Sequence, residues 1–246
     1  MDFNITYASY TDTGTRMVNE DSIGAASHGS AECFVLCDGL GGHGMGDVAS
    51  ALVVERFKKL FEEARDPVAF LKNAYDTSEE KLLEEQKKRN VPKMMKTTAV
   101  TAVIDKKKLF LANIGDSRAY VFKKGEVSFR TLDHSIPQML VAMGDIKESE
   151  IRHHPDRNIL LRVMGNEWEK PMYEVLKPVS LKNVDAILLC SDGFWELIEE
   201  NDMCTFLKLA ESPEQWLNMM VAMVRNNGRG KEMDNNSAIA IWCKKK

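Results

Sequence analysis

Three apolar runs in this chain each end in an aspartate: FVLCDG at Asp38, LFLANIGD at Asp116 and AILLCSDG at Asp192. A fourth aspartate, Asp234, stands just before a last apolar run in MDNNSAIAI. Each carboxylate sits where a strand emerges into a turn. Strand ends that converge on one rim of a sheet would gather these groups. Like charges that close repel, so the cluster needs a cation to be stable at neutral pH. Oxygen-only ligands select Mg²⁺, Mn²⁺ or Ca²⁺ over zinc. The glycines after Asp38 and Asp192 let a backbone carbonyl approach an ion closely. Asp-Gly is also a favoured turn dipeptide, and any one such pair alone reads as a turn. The joint placement carries the metal reading.

The chain between these turns alternates in character. Strands are expected at Phe3 to Tyr10, Asp21 to Ala26 and Glu32 to Cys37. Two helices follow with no strand between them: Gly46 to Glu63, and a second started by the Asp66-Pro67 cap and running to about Arg89. Thr97–Ile104, Leu109–Ile114, Ala119–Phe122 and Glu126–Arg130 then read as an antiparallel meander. Residues 133 to about 168 are irregular, with two short helical patches, and such a stretch is more often functional than connective. Strands return at Tyr173–Lys177 and Ala186–Cys190, helices at Phe194–Ile198, Asn201–Ala210 and Pro213–Asn226, and a closing strand at Ser237–Cys243. No repeat or linker divides the 246 residues, so one domain is expected.

Composition removes several classes. A net charge of −4 argues against a nucleic-acid binder, which would carry a basic stripe. No run of eighteen apolar residues offers a membrane span, and MDFNITYASYTDTGTR lacks the features of a signal peptide. The five cysteines are an odd set without zinc-like clustering, which fits a reduced cytoplasmic setting.

Rival sites can be tested by spacing. Gly39-x-Gly41-x-x-Gly44 matches a dinucleotide fingerprint, but a Rossmann unit needs a second parallel strand where this chain supplies two helices. No Gly-Lys-Ser/Thr follows, which removes a Walker-type loop. Cys37 and Cys190 precede acidic residues that would raise a thiol's pKa, so neither reads as a nucleophile.

At this point the chain resembles a known family, the metal-dependent protein phosphatases of the PPM class (type 2C), in their bacterial form. The matching blocks are Gly14–Asp21 (GTRMVNED), Cys37–Gly44 (CDGLGGHG), Thr97-Thr98, Ile114–Ala119 (IGDSRA), Ser191–Trp195 (SDGFW) and Asp234-Asn235. They occur in the family's order and span nearly the whole chain.

The resemblance implies an α+β fold, a four-layer αββα sandwich of two antiparallel sheets flanked by helices. It implies two Mn²⁺ or Mg²⁺ ions in a cleft at one edge, bridged by Asp38, with the Gly39 carbonyl on one ion and Asp192 and Asp234 on the other. Asp116 would help hold a third ion. Glu20 and Asp21, with Asn235, match positions that act around the ions, largely through water. Arg16 matches the phosphate-gripping arginine, a role suited to its planar fork of donors; its plainer alternative is an ion pair with Glu20 or Asp21. The implied reaction is direct attack of a water or hydroxide shared by two metals on phosphoserine or phosphothreonine.

Many eukaryotic members carry a histidine after the Asp-Gly pair, where this chain has Leu40; His43 is then the candidate general acid, with a turn histidine held by a structural hydrogen bond as the alternative. Residues 133–168 correspond to the family's variable flap. His153 and His154 within it lack a third nitrogen or sulfur ligand at suitable spacing, so they read as solvated flap residues. Phosphorylated proteins are the expected partners, including a serine/threonine kinase or its substrates, and the chain is expected to be a monomer. A pseudophosphatase, a binding module on the same fold, is the alternative; such proteins usually lose metal carboxylates.

Overall fold

The computed structural model describes residues 3–40 and 44–245. Its described strands form two sheets. In spatial order the first holds β1 (Phe3–Asp12), β11 (Asn236–Lys245), β10 (Ala186–Cys190), β6 (Arg118–Lys123) and β7 (Glu126–Arg130). The second holds β2 (Asp21–His28), β3 (Ala31–Asp38), β4 (Ala99–Asp105), β5 (Lys108–Ile114) and the short β8 (Glu174–Val175), while β9 (Val179–Ser180) also pairs with β5. Every paired neighbour is antiparallel.

The central strands are buried on both faces, which is why they read as unbroken apolar runs. Successive side chains alternate between faces. In β3, Phe34 and Leu36 point between the sheets, where they join Val100, Leu111, Val121, Ile187 and Ile239. Cys33, Val35 and Cys37 point the other way, under Val53, Phe57 and Tyr75 of the helices α1 (Gly46–Phe61) and α2 (Pro67–Arg89). On the far side, Tyr120, Phe122, Leu188 and Trp242 pack beneath α4 (Asp192–Trp195), α5 (Glu200–Leu209) and α6 (Pro213–Gly228). The result is the expected four-layer αββα sandwich. Burying a core side chain of this size contributes about 1.5–3 kcal/mol, so three such clusters supply the main driving force for folding.

Helix starts follow from their caps. Asp66 accepts the Ala69 amide at 2.7 Å with Pro67 behind it, and α2 runs to Arg89 as expected. Ser212 does the same for α6 through the Gln215 amide at 3.2 Å.

The expected meander is corrected. β4 and β5 belong to one sheet and β6 and β7 to the other, so the chain crosses between sheets at Gly115–Ser117. Both faces of β5 and β6 are buried, and an apolar pattern does not say which sheet a strand joins. β8 is also shorter than the expected Tyr173–Lys177, and the helix expected from Phe194 begins at Asp192. Residues 133–168, the segment expected to be a flap, lie in the connection from β7 to β8, with α3 (Ile136–Met143) and a 3₁₀ turn at Glu148–His153.

Candidate metal centre

The sheets' antiparallel registers bring the acidic turns to one edge. Asp21 opens β2 directly opposite Asp38, the last residue of β3. Cys190, the last residue of β10, lies opposite Ala238 of β11, so Asp192 and Asp234 emerge side by side. Asp116 follows the end of β5, whose Ile114 pairs with Ala99 at the start of β4. Two glycines permit the close approach. A Cβ on Gly193 would lie 2.2 Å from the Asn235 carbonyl oxygen, and one on Gly39 would lie 2.3 Å from that of Gly46. The glycines of both Asp-Gly pairs are therefore demanded by neighbouring backbone.

Asp38, Gly39, Asp116, Asp192 and Asp234 line one cleft of about 820 Å³ together with Arg16 and Glu20. The Asp38 backbone is fixed by two threonines. Its amide donates to Thr98 Oγ1 at 3.0 Å, and its carbonyl accepts from the Thr98 amide and Thr97 Oγ1, both at 2.8 Å. Thr98 Oγ1 also meets Ser117 Oγ at 2.8 Å, tying the Asp38 turn to the residue after Asp116. Asp21 is buried and accepts from Ser191 Oγ at 2.8 Å, while its other oxygen has no hydrogen-bond partner.

These carboxyls sit in an unfavourable field. Burial, then repulsion from Asp192 and Asp21, pushes Asp38 well above the usual carboxylate range. Asp116 is raised in the same way by burial and by Asp192 and Asp133. Burial and the charges of Glu196, Asp234 and Asp21 push Asp192 up to about 7. Asp21 rises to about 6, chiefly through burial. Among the described residues no three carboxylate, imidazole or thiol groups already form a closed ligand shell. The residues nevertheless fit a hard divalent cation: the donors are all oxygen, they repel one another, and one buried Asp21 oxygen is unsatisfied.

Arg16 does not pair with Glu20 or Asp21. It donates to Asp234 Oδ2 at 2.8 Å, on the exposed rim of the cleft. Asn235 organises that rim. Its Oδ1 accepts the Glu20 amide at 2.8 Å, and its Nδ2 donates to the Thr13 and Val18 carbonyls at 2.9 and 3.0 Å. The Arg16 loop is thus clamped at both ends by the residue beside Asp234. His43 lies outside the described residues. Leu40 lines the cleft, so that position supplies no proton.

The sequence model of the family described as "Protein phosphatase 2C" matches residues 12–235. The chain belongs to that family. It is 30% identical over 227 residues to the serine/threonine phosphatase stp of Listeria monocytogenes, covering 89% of each chain. Among solved structures, serine/threonine phosphatase Stp1 from Staphylococcus aureus superposes with a TM-score of 0.88 at 30% identity, covering 98% of this chain and 96% of that one. The catalytic domain of the phosphatase PstP, solved in complex with two manganese ions, gives a TM-score of 0.82 at 25% identity, with 99% and 100% covered.

Within this member of the family, one structural group escaped the sequence reading. Arg118 is buried in β6, donates to both oxygens of Asp133 at 2.9 and 2.7 Å and lies 3.4 Å over the Trp195 ring. Trp195 in turn donates to the Asp116 carbonyl at 3.0 Å. The start of the flap is therefore bolted to the Asp116 and Asp192 turns. An arginine inside an apolar strand was the available signal, since such a charge needs a buried partner.

Proposed function

We propose that this chain hydrolyses phosphoserine and phosphothreonine in proteins, using Mn²⁺ or Mg²⁺ held by Asp38, the Gly39 carbonyl, Asp192 and Asp234, with Asp116 for a third ion. The observation that carries this is the gathering of these oxygens, with Arg16, in one cleft at the ends of β3, β5, β10 and β11. Such ions, when bound, neutralise phosphate charge and acidify the attacking water.

The chain's own groups do the rest. Arg16 exchanges its exposed pair with Asp234 for the substrate phosphate, to which it offers a fork of donors. Thr97 and Thr98 hold Asp38 in place, and Asn235 holds the Arg16 loop and Glu20. Every carboxylate of the set is present, and no observation favours a pseudophosphatase. Partners on this reading are phosphorylated proteins, among them a serine/threonine kinase or its substrates, met by a monomer in the cytoplasm.

The test is hydrolysis of a phosphothreonine peptide with and without Mn²⁺. Turnover should require the ion and vanish in Asp192→Ala. Turnover indifferent to metal would overturn the proposal.

A further inference from the structure

Folded proteins expose scattered apolar residues without consequence, but a contiguous exposed patch beside a cleft marks a binding surface. Nine large apolar side chains are exposed among the described residues: Met17, Val18 and Ile159 line the metal-centre cleft, and four more lie on or beside the flap. Met17 is 98% exposed, Val18 50% and Ile159 46%. Met17 directly follows Arg16, so one apolar patch begins one residue from the group assigned to grip phosphate.

The topology sets the two patches apart. Arg16, Met17 and Val18 stand on the link from β1 to β2, and each of these strands is an edge strand of its sheet. The flap that carries Ile159 springs from β7 and returns to β8, the opposite ends of the same two sheets. The carboxylates of β3, β5, β10 and β11 emerge between them. A chain that places a phosphorylated side chain over those carboxylates and runs from one wall to the other brings its neighbouring residues to both.

Among the described residues, none of the three core clusters takes up these side chains. Met17 and Val18 belong to neither sheet, and the Arg16 loop is held by Asn235 and by the backbone bond from the Thr15 amide to the Met233 carbonyl, not by apolar packing. Left in water, three large apolar groups at the mouth of the cleft contribute nothing to folding. Burying each against an apolar partner releases free energy on binding.

We infer that Met17 and Val18 on one wall, and Ile159 on the other, select substrates whose phosphorylated residue is flanked on both sides by large apolar side chains. This rests on the phosphatase function proposed above and specifies its substrate class. The occupant is an extended peptide segment of the phosphoprotein. Arg16 takes the phosphate, and the apolar walls take its neighbours.

Two phosphothreonine peptides of equal length and net charge test this, one with leucine on each side of the phosphothreonine and one with serine there. With Mn²⁺, the leucine peptide should show a KM lower by about tenfold or more, with kcat similar, since one apolar contact changes discrimination by about that factor. Met17→Glu and Ile159→Glu should each reduce the ratio of kcat/KM between the two peptides toward one. Both positions are exposed enough that the charge need not disturb the core, which a thermal melt checks. Anisotropy of the same two peptides, labelled and carrying a non-hydrolysable phosphonate, gives a second readout that does not depend on turnover.

The outcomes separate the two proposals. Hydrolysis of p-nitrophenyl phosphate but equal kcat/KM for the two peptides overturns the apolar walls and leaves the phosphatase standing. No metal-dependent hydrolysis of any of the three substrates overturns the function itself. A chain that dimerises in sedimentation, loses the dimer in Ile159→Glu and shows no peptide preference would assign the patch to self-association and overturn the inference.

Discussion

Arg16 donates to Asp234 Oδ2 at 2.8 Å, so the group assigned to phosphate neutralises one assigned to a metal. The two side chains are 60% and 45% exposed, and exposed pairs of this kind contribute at most about 1 kcal/mol. The pair is therefore cheap to exchange. It keeps the rim ordered while leaving both groups available.

Arg16→Ala follows directly. KM for a phosphopeptide should rise by roughly 10–100-fold, the effect of losing a charge-assisted bond to phosphate, while thermal stability changes by less than about 1 kcal/mol. Arg16→Lys should recover only part of the affinity, because an ammonium lacks the planar fork. An unchanged KM in the alanine variant would reduce Arg16 to a surface ion pair.

A second expectation concerns the repulsion at the cleft floor. Asp192 is raised by burial and by Glu196, Asp234 and Asp21, so its charge is a burden in the absence of cations. Asp192→Asn should stabilise the chelator-treated protein by about 1–2 kcal/mol while abolishing hydrolysis, a trade of stability for function. Mn²⁺ should raise the melting temperature of the unaltered chain and do so far less in the variant. Equal Mn²⁺ stabilisation of both would place the ion elsewhere.

Much of this site was legible in the sequence because the fold exposes its chemistry at strand ends. Asp38, Asp116 and Asp192 stand out as acidic exits from apolar runs, and Asp234 as an acidic entry to one, before any strand pairing is known. What could not be read was sheet membership. The run from Thr97 to Arg130 has the pattern of one meander, yet β6 leaves the sheet of β4 and β5 and pairs with β10 in the other. Hydrophobic alternation records burial, and both sheets bury both faces here. The partner of Arg16 was equally hidden, since Asp234 lies 218 residues away and meets it only through the pairing of β1 with β11. The same holds for Arg118, because its partner Asp133 reads in sequence as the start of a polar segment.

That buried pair gives a third expectation. Arg118 has its fork on Asp133, its Nη1 on Tyr120 at 2.9 Å and its face on Trp195. Asp133→Ala leaves a buried guanidinium without its carboxylate and should destabilise the fold by about 3–5 kcal/mol in urea melts. Replacing both partners, as Arg118→Met with Asp133→Leu, should recover at least half of that loss, because no charge is then stranded. Failure of the double variant to recover would mean that the pair's geometry at the flap, rather than charge burial, is what stabilises.

Glu79 gives the pH dependence. It is buried on α2, its Oε2 accepts the Gly165 amide at 2.6 Å and its Oε1 has no partner. Gln86, two turns along, donates to the Met95 and Gly165 carbonyls at 3.0 and 2.9 Å, so α2 grips the base of the flap. There Met164 and Thr97 exchange backbone bonds, and Thr97 holds the Asp38 carbonyl. Burial pushes the Glu79 carboxyl up to about 8 from 4.5, against the smaller opposing effect of the Gly165 amide. A folded-state pKa above the unfolded value means that the stabilisation is complete below about 4.5 and is lost as pH rises through about 8. Glu79→Gln keeps an acceptor for Gly165 and cannot ionise. Between pH 5 and 8 the unaltered chain should therefore lose on the order of 2–3 kcal/mol relative to the variant in paired urea melts. The comparison isolates Glu79, because the cleft carboxyls titrate in both proteins. A constant difference across that range would mean that Glu79 is already ionised at pH 5 and that the flap base tolerates its charge.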